Sequence, residues 1–141
     1  MRANQRLIIE AAYTAWAGED LAMLGDCLHE NTISLIHMPE RSWPMSGPLI
    51  GKPAVLGALA KVSRDFEVVE YRPLTMKGEN GVWTCRARIH YGHRVTGLSY
   101  EATIRNIWKI RGDRISSYEV FHDAERLRAF FGMVSRMAVE A

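Results

Sequence analysis

Apolar residues recur along this chain with two periods, and the switch falls near residue 66. The first third has helical spacing. Leu7, Ile8, Ala11, Ala12, Ala15 and Trp16 make one stripe, which Gly18 interrupts. A short second helix is predicted after Asp20, with Leu21, Leu24 and Leu28 on one face, and Asn31 breaks it. Thr32 to Met38 then alternates as a strand, with Ile33, Leu35 and His37 on one side and Thr32, Ser34 and Ile36 on the other. Residues 39–51 hold Pro39, Pro44, Pro48, Gly47 and Gly51 and read as an irregular loop that carries Trp43 and Met45. Pro53 falls early in the first turn of a third helix, where proline is tolerated, and Val55, Leu56, Leu59 and Val62 form its apolar stripe.

From residue 66 the period is two. Strand-like runs cover about 66–77, 82–95, 98–110 and 114–122, separated by the turn sequences Gly78-Glu79-Asn80-Gly81, Thr96-Gly97 and Arg111-Gly112-Asp113. Connections this short make neighbours antiparallel. A last helix begins at Asp123, a natural N-cap, with Leu127, Phe130, Phe131 and Val134 as its stripe. The order of elements predicts an α+β domain. Runs of about 10 to 14 residues are long beside the usual 5 or 6, so the strands must twist and curl. The expected architecture is a cone: a curved antiparallel sheet wrapped around helices and enclosing a concave space.

The period also sorts side chains between the two faces of the sheet. Trp83, Cys85, Ala87, Ile89 and Tyr91 share one face; Ala102, Ile104, Asn106, Trp108 and Ile110 share one; Tyr118, Val120 and His122 share one. These apolar sets are expected inward. Asn106 is then a buried amide, which needs a hydrogen-bond partner: a neighbour, a water or a ligand. In the first strand the set Ile33, Leu35 and His37 is expected inward, which puts His37 at the rim of the concavity.

Length and composition narrow the function classes. With 141 residues the chain is one domain, 1–141, and 48% apolar with 24% charged residues is ordinary for a globular protein. The charge of +2, from 18 basic against 16 acidic residues, gives no argument for nucleic acid. No apolar run approaches the roughly 18 to 20 residues of a membrane span, so a membrane is not an expected partner. The apolar stretch Leu7-Ile8-Ile9 is too short for the centre of a signal peptide. Cys27 and Cys85 make neither a disulfide framework nor a metal pattern, which fits a reducing cytoplasm. With no phosphate loop, Cys/His cluster or nucleophile elbow, neither a metal nor another cofactor is expected.

Nearly the whole chain resembles the nuclear transport factor 2-like superfamily, and within it the SnoaL-like polyketide cyclases, ketosteroid isomerases and limonene epoxide hydrolases. The resemblance rests on Ala12-Tyr13-Thr14-Ala15-Trp16 followed by Gly18-Glu19-Asp20-Leu21, on Glu30-Asn31-Thr32-Ile33, and on Gly51-Lys52-Pro53-Ala54-Val55. It continues through Ile107 to Ile115 and Tyr118 to Asp123. These motifs mark the fold rather than the chemistry. Carried over, the isomerases' carboxylate base falls at Ile36 or His37, their protonated aspartate at Asn106, and their tyrosine at Ala12, with Tyr13 one step away. The hydrolases' Asp–Arg–Asp set falls at Ile89, Ala87 and Val120 and is absent.

The resemblance implies a cofactor-free site for a small apolar molecule such as a polyketide or steroid-like carbonyl compound, and the inward apolar lining broken by a few polar residues fits one. His37 suits proton abstraction near neutral pH, or it is a rim histidine bonded to a backbone carbonyl. Asn106 suits donation to an oxyanion, or it bridges to a neighbouring strand. Tyr91, Tyr118 and His122 are candidate orienting groups, Trp43 and Met45 could close the mouth, and Trp83, Trp108 and Val120 are candidate walls. Outward Arg86, Arg88, Arg105 and Lys109 are either a solvated face paired with Glu101 and Glu119, an anion site, or part of a homodimer contact through the outer sheet face, a contact common in the superfamily. Outward Ile107 and Phe121 favour the homodimer. Two functions stay open: an isomerase, cyclase or dehydratase, and a non-catalytic ligand-binding or interaction domain.

Overall fold

The computed structural model describes residues 2–38 and 45–140. Helix α1 (Arg2–Ala17) is followed by α2 (Leu21–Cys27), which Asp20 caps by accepting the Met23 amide at 3.0 Å. Strands β1 (Leu28–His37) and β2 (Gly47–Ile50) precede α3 (Lys52–Asp65). Then come β3 (Phe66–Glu79), β4 (Val82–His93), β5 (Ser99–Arg111), β6 (Arg114–Phe121) and α4 (Ala124–Glu140). Asp123 caps α4 as expected, its carboxylate accepting the Arg126 amide at 3.3 Å.

The strands form one curved, unclosed sheet in the order β2-β1-β6-β5-β4-β3. The run from β3 to β6 is the expected antiparallel meander. Strand β1 returns to lie parallel to β6, which places the first strand beside the last. Within the described strands proline falls only on the two edges: Pro73 lies in β3 and Pro48 in β2, where a missing amide proton breaks no central ladder.

Three local expectations are corrected. Residues 47–50, read as loop, are a strand: Ile33, Ser34 and Leu35 pair with Ile50, Leu49 and Pro48. The buried stripe of α1 is rotated by about one residue: Ile9, Ala12, Tyr13 and Trp16 face the sheet, and Leu7 is 63% exposed. The phase of β1 is inverted. Ser34 pairs with Tyr118 and Ile36 with Val120, and directly paired residues share a face. Tyr118 and Val120 are buried, so Thr32, Ser34 and Ile36 point inward while Ile33, Leu35 and His37 point out. Both sets of β1 hold apolar residues, and the register with β6 decides between them.

The inner faces of β4, β5 and β6 are as expected: Cys85, Ala87 and Ile89 are fully buried, and Ile104, Asn106 and Trp108 lie beneath the helices. On the outer face Arg88 pairs with Glu101 at 3.2 Å, and the Arg105 guanidinium lies 4.5 Å from the centre of the Phe121 ring. No described helix is long and apolar enough to cross a membrane.

Candidate functional site

Helix α1 brings Tyr13 and Trp16 to its buried face one turn apart, and each forms an indole–phenol pair with a residue of the sheet. The Trp108 indole donates to the Tyr13 hydroxyl at 3.1 Å. An indole N–H can only donate, so the phenol oxygen accepts and its proton goes onward, to Asn106 Oδ1 at 2.6 Å. The chain Trp108 to Tyr13 to Asn106 therefore has one direction. It also fixes which way the Asn106 amide is turned and leaves its Nδ2 without a partner at hydrogen-bonding geometry. The second pair runs the other way across the helix: the Trp16 indole donates to the Tyr91 hydroxyl at 2.7 Å.

These groups surround a cavity between α1, α3 and the inner sheet face. Tyr13, Trp16, Tyr71, Tyr91 and Trp108 form its aromatic wall, and Tyr118 and His122 supply further polar tips. Leu24, Leu28, Ile36, Leu59 and Val120 are among its aliphatic lining. The ring centres of Tyr13 and Trp108 are 5.3 Å apart, those of Trp108 and Tyr118 5.4 Å, and those of Tyr71 and Tyr91 6.3 Å. The cavity has a volume of about 70 Å³, room for a compact molecule.

Burial sets the electrostatics. It raises the Tyr13, Tyr71 and Tyr91 hydroxyls far above the usual phenol range; the Asn106 amide, close enough to Tyr71 to be felt, counters part of that rise. Tyr118 is pushed up to about 12 by burial, with the Ser34 hydroxyl opposing. Cys85, behind Tyr13, is raised by burial to about 11. His122 is lowered by burial to about 4, and its Nδ1 has no partner. The described lining carries no carboxylate, so at neutral pH the cavity walls are uncharged but hold several hydroxyl donors and one imidazole acceptor.

Tyr91, Tyr118, His122, Trp108 and Val120 line this cavity, where the sequence placed them. Asn106 is fully buried but does not line the cavity itself; Tyr13, whose proton it accepts, does. His37 is corrected to the outer face, stacked on Phe121 at 4.4 Å between ring centres and 2.9 Å from Glu119. Trp83 is corrected too: it lies over Gly78 and donates to Gln5 on α1 at 3.0 Å, away from the cavity. Trp43 lies outside the described residues. Tyr71 carries no site signal in the sequence, and Tyr13 stands one step from the position of the isomerases' tyrosine. The signal for Tyr13 was present in Ile9, Ala12, Tyr13 and Trp16, which share helical spacing.

Among the described residues no three His, Cys, Asp or Glu side chains gather where they could hold a metal ion. Solved structures with the same fold include a nuclear transport factor 2-like protein of unknown function from Burkholderia pseudomallei (TM-score 0.79, 15% identity, 90% of this chain and 96% of that one). IdmH from Streptomyces antibioticus, a candidate polyketide cyclase, gives 0.72 and 19% over 91% and 98%. A candidate polyketide cyclase from Xanthomonas campestris pv. campestris gives 0.74 and 15% over 86% and 92%. At these identities the likeness is one of fold. No curated protein matches the sequence. The SnoaL-like domain family model matches residues 9–118, most of the chain, and the chain therefore belongs to the SnoaL-like domain family, with the nuclear transport factor 2-like fold.

Proposed function

We propose that this cavity takes a compact, mainly apolar carbonyl compound and moves a proton beside the carbonyl, as an isomerase or cyclase does. The observation that carries this is His122: the one non-phenolic titratable side chain on the described cavity wall, uncharged, with Nδ1 unpartnered. In the step envisaged, His122 removes a proton from the carbon next to the carbonyl and the C–H electrons move onto the carbonyl oxygen. Hydroxyls of the tyrosine wall donate to the resulting enolate. The imidazole then returns the proton to another carbon, or the enolate carbon attacks a second carbonyl carbon of the same molecule, whose π electrons move onto its oxygen, and that oxygen takes the proton from the imidazolium as the ring closes. A histidine lowered by burial is a weak base in the empty site. An enolate formed beside it supplies the opposite charge and restores much of its basicity.

A second function, ligand binding without turnover, is favoured by the lack of a carboxylate on the described lining. Exchange of α-protons for deuterium in small cyclic ketones separates the two. For an enzyme, the protein accelerates exchange and His122→Gln removes 10²- to 10⁴-fold of the acceleration, about what a positioned acid–base group contributes. Ketone binding, seen as shifts of cavity resonances, without any exchange would leave the binding function and discard the catalytic one.

A further inference from the structure

The two indole–phenol pairs differ in how they end. In the chain from Trp108 the Tyr13 proton is delivered to Asn106, so every group has its place. In the pair from Trp16 the Tyr91 oxygen accepts the indole proton, and no described residue accepts the proton of Tyr91 itself. Tyr91 lines the cavity and also the smaller one beside it beneath α4, where His122 forms part of the same wall. An indole cannot accept, so the Tyr91 oxygen takes the Trp16 proton and the proton of Tyr91 is left to donate elsewhere.

We infer that Tyr91 is a specificity-determining residue that donates to an acceptor oxygen of the ligand, and that Trp16 is the positioning residue that imposes this direction. The inference rests on the cavity being a site for a carbonyl compound and adds which oxygen chemistry it selects. A ketone or enolate oxygen satisfies Tyr91 completely. An alcohol that turned its oxygen to Tyr91 would bring a proton of its own against an oxygen already bonded to Trp16, and a buried unmatched donor is costly, so an alcohol gains little from Tyr91.

The test compares 4-fluoroacetophenone with 1-(4-fluorophenyl)ethanol, two probes of one skeleton, in ¹⁹F NMR titrations of the full chain. Wild type should bind the ketone about 5- to 20-fold more tightly than the alcohol. Tyr91→Phe, which keeps the ring, should weaken the ketone by about that factor and leave the alcohol nearly unchanged. Trp16→Phe frees the Tyr91 oxygen to accept, so the alcohol should gain while the ketone changes little; damage to packing would weaken both probes together. Equal binding of the two probes to wild type overturns the inference without any variant, and so does a ketone preference that survives Tyr91→Phe. If wild type binds neither probe, the carbonyl-compound function falls, and this selectivity with it.

Discussion

The Tyr13 hydroxyl lies 2.6 Å from Asn106 Oδ1, joining a residue on the first helix to one in the middle of β5, 93 positions later. Both groups are buried, so the bond is shielded from water. Tyr13→Phe would leave the Asn106 carbonyl and the Trp108 indole N–H unpaired together. Two buried orphans cost roughly 2–4 kcal/mol, more than the bond itself contributes. Replacing Asn106 with Leu as well removes one orphan, and the double variant should be less destabilised than the sum of the two singles. Urea unfolding of the four proteins of this cycle checks the coupling; strict additivity would mean that the bond does not organise the core.

His122 makes a prediction about acid. Its folded pKa, about 4, lies below the ordinary histidine value near 6.5, so between those values the unfolded chain binds the extra proton. Stability therefore rises with pH through this window and is lost as pH falls through it. The full loss is at most roughly 3 kcal/mol and flattens below pH 4, where both states are protonated at this site. Carboxylates contribute their own acid sensitivity, so the quantity to measure is the difference between wild type and His122→Gln. Thermal melts at closely spaced pH values should show wild type losing stability relative to the variant as pH falls from 7 to 4. Parallel curves would place His122 in contact with water.

The sequence shows most of this architecture because β4, β5 and β6 alternate cleanly, with arginine, lysine, histidine or glutamate marking the outer positions. It fails where alternation is weak or broken. In β1 each face holds apolar residues, so counting cannot set the phase, and the pairing of Ser34 with Tyr118 is information from 84 residues away. In β3 a register shift between Val68 and Glu70 lets Phe66, Val68 and Tyr71 all reach the interior although they do not share one period-two set. Tyr71 is thus hidden from any reading by alternation. His122 was legible because it continues the inward set of Tyr118 and Val120. What could not be read was that the imidazole of His122 lies on the cavity wall while that of His37 lies on the outer face.

Gly78 and Trp83 are register partners in the β3–β4 hairpin, and a Cβ on Gly78 would fall inside the Trp83 ring system. The indole is buried and tied to Gln5, so it has little room to give. Gly78→Ala should therefore cost about 1–3 kcal/mol through overpacking, although alanine is otherwise the better strand residue. For a domain of this size that is a fall in melting temperature of roughly 3–10 °C. In a Trp83→Leu background the same substitution should be neutral or slightly stabilising. A fall of equal size in that background would show that the cost lies in the backbone and not in the ring.

Phe121 and His122 are consecutive, so they point to opposite faces of the sheet, and His37, the register partner of Phe121, goes with the outer one. Two imidazoles close in space along the fold are thus separated by the sheet itself. His37 meets Glu119 at 2.9 Å with both side chains partly exposed, a contact that contributes under about 1 kcal/mol. His37→Ala should then leave both probe binding and deuterium exchange within about twofold of wild type, while His122→Gln lowers the exchange by orders of magnitude. Measuring the two variants side by side assigns the base. Loss of exchange in the His37 variant, with folding intact, would return the chemistry to the rim and remove it from the cavity.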